Sequence, residues 1–183
     1  MLIIFVDQIT LRIEYTLDFI FAQRGLEYRV TNDDKELNIG LFYSKKKVDG
    51  RWIQQASLMN ESNVSAQTVS LESFQNQPCF AFDGVIDPIA SIFYHLTRYE
   101  EYLARKKDKH SRFPLSASII PIEWLEKTMC DRWAEEIIKL SGGQLKESYG
   151  ASIIPTFDID NTYAYKLKTI RRKIFSILKD ASM

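Results

Sequence analysis

Two carboxylates near the carboxyl end of the chain, Asp158 and Asp160, stand in the stretch SIIPTFDIDNTYAYK, Ser152 to Lys166. Side chains two residues apart on a strand point the same way, so the pair shares one side. Carboxylates so placed can share a divalent cation, or one can bind metal while its neighbour acts as base or nucleophile. The same pair also suits a strand-end turn in which one Asp caps the following helix. The preceding IIPTF favours a site, because buried strands of α/β proteins carry their sites at carboxyl ends.

Other groups able to do chemistry are few. Histidine occurs twice, as His95 and His110, in neither an HxxxH nor an HExxH pair, which argues against a His-rich zinc site formed by this chain alone. His95 falls near the apolar face of a helix and reads as a hydrogen-bonded core residue, with a ligand role as the alternative. His110 lies in the charged loop KKDKHSRFP. GxSxG, P-loop and GxGxxG motifs do not occur. Aromatic side chains beside charges do gather around one helix end and its loop: Arg98, Tyr99, Tyr102, His110, Arg112 and Phe113. Aromatic and Arg side chains carry much of the energy of recognition, so this group is a candidate binding surface. The alternative is that they only seal the helix end.

Several elements must position these residues. LIIFVD, Leu2 to Asp7, is a buried-strand pattern, and RIEYTLDFIFAQRG after it has helical spacing with Gly25 at its stop. LEYRVT and LNIGLFYS read as strands. Asp49-Gly50 predicts a hairpin turn into WIQQ, and NESNVSAQTVSLESFQNQ reads as loop with a short element inside. DPIASIFYHLTRYEEYLARKK predicts one long helix, capped by Asp87 with Pro88 at its first position and with a Glu101–Arg105 pair on its flank. A second long helix is predicted over IEWLEKTMCDRWAEEIIKLSGG, on a stripe of Leu125, Met129, Trp133, Ile137 and Leu140, stopped by Gly142-Gly143. The strand ASIIPTFDID and a basic amphipathic helix within YAYKLKTIRRKIFSILKD complete the chain. Leu167, Ile170, Ile174 and Ile177 mark the apolar side of that helix, a face for a partner, the domain or an anionic membrane. Interspersed strands and helices give an α/β (or α+β) fold, with a mixed sheet and flanking helices.

Bulk properties agree with a folded protein. The chain has 183 residues, 45% hydrophobic, 26% charged and 13% aromatic. That is enough for one domain, or one domain and a fragment. A formal net charge of +0 gives no electrostatic signal for nucleic acid. Cys79 and Cys130 lack disulfide or CxxC spacing and read as free buried thiols. No apolar run reaches the roughly 20 residues of a membrane span, and the start lacks the features of a signal peptide. The expected location is the cytoplasm.

FDGVIDPIASIFYHLTRYEEYLARKKDKHSRFPLSAS, followed by IIPTFDIDNTYAYK, resembles the N-terminal region of polysaccharide deacetylase-like proteins of the NodB type, as found in Bacteroidetes. The resemblance implies an N-terminal accessory domain over residues 1–150. Residues 151–183 would then be the first strand and helix of an incomplete (β/α) barrel. It further implies that Asp158 is the general base and Asp160 a ligand of zinc or another divalent metal in the full-length protein. The familiar motif has adjacent Asp residues, and Ile159 stands between them here. The HxxxH pair has no counterpart, so this chain alone is expected to bind no cofactor and to be non-catalytic. Its expected partners are the C-terminal deacetylase domain and a glycan. DIDNT also fits the DxDxT motif of haloacid dehalogenase-type phosphatases, which use an Asp nucleophile and magnesium. A plain interaction domain with a structural DxD is the third reading.

Overall fold

The computed structural model describes residues 1–103, 107–124, 126–145, 153–156 and 169–180. The chain forms two compact units, Met1–Ser148 and Tyr149–Met183.

Strand β1 (Leu2–Val6) is the centre of the first unit. Helix α1 (Leu11–Ile20) follows, capped by Thr10, whose hydroxyl accepts from the Ile13 amide at 3.3 Å. A 3-10 turn ends at Gly25, whose φ of 69° is open to glycine without strain. Strands β2 (Tyr28–Thr31), β3 (Ile39–Ser44) and β4 (Trp52–Gln54) complete a sheet in the order β2-β1-β3-β4, every neighbour parallel. The β3–β4 link is therefore not the hairpin that Asp49-Gly50 suggests. Register pairs Phe42 with Trp52 and Ser44 with Gln54, so the chain returns to the start of β3 before β4 begins. The Trp52 indole N–H donates to the Ser44 carbonyl oxygen at 3.2 Å, and burial of Ile53 rewards this parallel docking.

The hairpins lie elsewhere. β5 (Val69–Phe74), β6 (Gln77–Phe82) and β7 (Val85–Ile86) form an antiparallel sheet with two-residue turns at Gln75-Asn76 and Asp83-Gly84. All four turn residues have positive φ, as a type I′ hairpin requires. The fold thus has α+β character, with the two strand orientations segregated into separate sheets.

The long helix predicted from Asp87 onward is divided. α2 (Pro88–Leu96) and α3 (Tyr99–Leu103) are separated at Thr97 and Arg98. Thr97 Oγ1 donates to the Phe93 carbonyl at 2.7 Å, competing with the helical ladder, and Arg98 takes a left-handed φ of 52°. α4 (Met129–Ser141) starts later than IEWLEK suggested, because Ile122–Trp124 forms a separate 3-10 turn. Its stripe does reach the core through Met129, Trp133 and Ile137, while Leu125 lies outside the described residues. Gly142 stops it with φ 79°, packed so closely against the Arg51 guanidinium that a Cβ would clash.

The core joins both sheets to α1, α2 and α4, with Trp133, Tyr43, Phe21, Phe80 and Phe82 its largest fully buried side chains. Cys79 is buried and Cys130 half-buried, both as free thiols. Asp87 is wholly buried, accepting from the Ala90 amide at 2.9 Å, the Ala56 amide at 2.8 Å and the Tyr43 hydroxyl at 2.7 Å. It is therefore a cap and a knot between α2, β3 and the segment after β4. In the second unit α5 (Ile170–Asp180) is a helix with exposed Ile170, Ile174, Ile177 and Leu178. Ile153 to Thr156 is not a strand, and Ile153 and Ile154 are exposed, unlike the buried strand expected there. Among the described residues no helix is long and apolar enough to cross a membrane.

Candidate functional site

Asp158 and Asp160 lie outside the described residues. Among the described residues no three His, Cys, Asp or Glu side chains converge as a metal site.

The residues of the helix end and its loop are better defined, and the break between α2 and α3 sets their positions. Turning left-handed at Arg98 brings Tyr99 inward and leaves Arg98 outside. The Arg98 guanidinium then reaches Glu101, with Nε donating to Oε1 at 2.5 Å and Nη2 to Oε2. Glu101 is thus paired with Arg98, whereas Arg105, its expected partner, lies outside the described residues. The next residue, Glu100, is buried and holds the distant loop: its Oε2 accepts from the Ile119 amide at 2.9 Å and its Oε1 from the Ser118 hydroxyl.

These contacts shape a cavity of about 320 Å³, with Phe113, Leu115 and Ile120 as apolar walls, Arg98 and Glu101 at its charged rim, and His95 on the helix side. His95 lies parallel to Trp124 at 5.8 Å and edge-on to Trp133 at 5.3 Å, with Phe80 at 5.7 Å. Both ring nitrogens are shielded from solvent and have no hydrogen-bond partner among the described residues, which corrects the expectation of a hydrogen-bonded core histidine. Burial pushes its pKa down to about 4, so the ring is neutral at pH 7.

The six residues singled out by type do not form one surface. Tyr99 is buried: its ring lies 5.3 Å from Tyr94, and its hydroxyl accepts from the Ser65 amide at 2.9 Å. It braces the core and is not the exposed aromatic anticipated. Tyr102 is 72% exposed and does not line the cavity. His110 and Arg112 belong to a local turn, where both backbone amides donate to Asp108 Oδ1, at 2.8 and 2.9 Å. Those backbone hydrogen bonds, Arg112's first, hold the Asp108 carboxyl below its ordinary range. Only Arg98 and Phe113 of the six share the cavity. Glu100, Ser118 and Ile120 were missed, because nothing local in the sequence joins positions so far apart. The arrangement offers an apolar recess beside an exposed ion pair.

Residues 2–142 match a family model described as "Family of unknown function (DUF7033)". No curated protein and no solved structure matches. The matched span takes in both sheets, the α2–α3 break and all of α4. The chain belongs to the DUF7033 family.

Proposed function

We propose that residues 1–148 are a non-catalytic accessory domain of a cytoplasmic polysaccharide deacetylase-like protein. In this reading the recess at the α2–α3 break holds the catalytic module that a longer chain supplies. The observation that carries it is the division of the chain. The family match ends at residue 142 and the first compact unit at Ser148, which leaves the TFDID motif in the other unit. The recess supports a protein partner, since it offers apolar walls at Phe113, Leu115 and Ile120 beside Arg98, and aromatic and Arg side chains are frequent anchors of interfaces. In the full-length protein Asp158 would act as base and Asp160 would help to hold a divalent metal.

Two measurements test this. The purified 183-residue chain, given zinc, cobalt or manganese and acetylated chito-oligosaccharides, is expected to release no acetate above blank. Release that Asp158→Ala abolishes would refute the non-catalytic reading. Association with a separately expressed deacetylase module is expected to fall on Arg98→Gly combined with Phe113→Ala. Glycine accepts the left-handed backbone at position 98, so folding should be retained. Unchanged association with a folded variant would remove the recess from the interface.

A further inference from the structure

A second cavity lies beyond the carboxyl end of β1. Open parallel sheets bind ligands outside the carboxyl ends of their strands, at the point where strand order reverses. In the order β2-β1-β3-β4 that point lies between β1 and β3. The cavity borders it on the β1 side only: the segment that follows β1 and opens α1, with Asn60, Glu61 and Ser62 from beyond β4, lines about 350 Å³.

The hydrogen-bonding state of the lining selects the ligand. Arg12 donates from Nη1 to the Leu58 carbonyl at 2.6 Å and from Nη2 to that of Asn63 at 2.8 Å, and its guanidinium lies 5.2 Å from the Phe93 ring centre. Glu61 accepts from the Ser65 hydroxyl at 2.6 Å and the Gln67 amide at 3.1 Å. Both charged groups are thus committed to the protein. The amides behind the wall are not. Gln55 is 2% exposed, and its Oε1 accepts from Asn60 Nδ2 at 2.9 Å. Gln55 Nε2 and Asn60 Oδ1 are then buried without partners among the described residues. Exchanging O and N in both amides leaves the same inventory, one donor group and one acceptor. A hydroxyl both donates and accepts, so one hydroxyl can answer the pair. At the mouth Ile9 and Leu11 are 43% and 84% exposed, apolar surface for the C–H face of a ring.

We propose that this cavity binds a neutral, hydroxyl-rich ligand, one sugar unit in size, through the amides of Asn60 and Gln55. Entry is coupled to a turn of the Asn60 side chain into the cavity, because both unpartnered atoms lie behind the wall. A charged sugar is disfavoured, since Arg12 and Glu61 are already engaged. The site is separate from the recess beside His95 and does not depend on the accessory reading.

The test is calorimetric or NMR titration of the full chain with glucose and N-acetylglucosamine, against glucosamine and glucuronate as charged probes. Saturable binding of a neutral sugar is expected, weaker by about tenfold or more in Gln55→Met, the scale of one lost hydrogen bond. Ser62→Trp, a change at the exposed rim that leaves the core untouched, is expected to block binding at an unchanged melting temperature. Arg98→Gly is expected to leave it intact. Absence of binding by either neutral sugar, equal binding of the charged ones, or binding that survives Ser62→Trp would each overturn the proposal. Should Gln55→Met fail to fold, Ser62→Trp decides alone.

Discussion

His95 and Asp87 are perturbed in ways that oppose one another. Burial lowers the His95 pKa from 6.5 to about 4 and raises that of Asp87 from 3.8 to about 6. For His95 the unfolded chain binds the extra proton between pH 4 and 6.5, so its contribution is present above 6.5 and lost as pH falls. For Asp87 the folded chain binds it, so that contribution is present below 3.8 and lost as pH rises through 6. Each is on the order of 3 kcal/mol, over nearly the same window. The two should largely cancel in the native protein. His95→Phe is expected to unmask stability that declines from pH 4 to 6, and Asp87→Asn stability that climbs. Urea unfolding across that range measures both, and parallel slopes in the two variants would contradict the assignment. Asp87 was legible in the sequence as a cap, because Asp before Pro at a helix start is a local signal. Its bond to Tyr43 was not, since 44 residues separate the two. For the same reason Tyr99 was read as surface: its partners Ser65 and Tyr94 are set by the fold and not by its neighbours in RYEEY.

At the scale of elements, turn chemistry outweighed turn spelling. Asp49-Gly50 and Asp83-Gly84 are the same dipeptide, yet only the second closes a hairpin. The first leads into a strand whose apolar residues are buried by parallel pairing, and the sheet overrides the local preference. Gln75-Asn76 closes a hairpin without glycine, so the sequence signals no more than a short element where β5 and its turn lie. Gln75 has φ 50° and Asn76 φ 62°, and left-handed backbone costs a non-glycine residue roughly 1–2 kcal/mol, less for Asn. Combining Gln75→Asn with Asn76→Gly should therefore raise stability by about 1 kcal/mol, read as a higher urea midpoint at unchanged m-value. An unchanged or lowered midpoint would show that the turn is held by something other than backbone preference. α1, β1, β2, β3 and the stop at Gly142 were all readable, because each is a run with its own period and punctuation. The division of α2 from α3 was not. It rests on Thr97 and a left-handed Arg98, neither of which breaks a helical pattern by type.

For the whole molecule, an all-parallel sheet beside an antiparallel one makes every long connection matter. A chain ending at Ser148 is expected to unfold in one cooperative transition, with equal midpoints by tryptophan fluorescence and circular dichroism. Two separated transitions would show that the two sheets are independent, and a molten product would show that later residues are integral to the core. The carboxyl-end site was not legible in the sequence. Gln55 and Asn60 occur in a polar stretch after β4, and only the fold brings Asn60 beside the segment that follows β1. Strand order also governs how the protein comes into being. β1 leaves the ribosome before the strands that flank it, β2 and β3. α4, which packs on α1, α2 and β3, ends only at Ser141. At a synthesis rate of roughly 5–20 residues per second, Leu2 to Val6 waits roughly 7 to 27 seconds for its last cover. The nascent chain thus holds β1 with open edges only until β3 ends at Ser44, but leaves the sheet without α4 until Ser141, so chaperone demand should fall on the sheet in that interval.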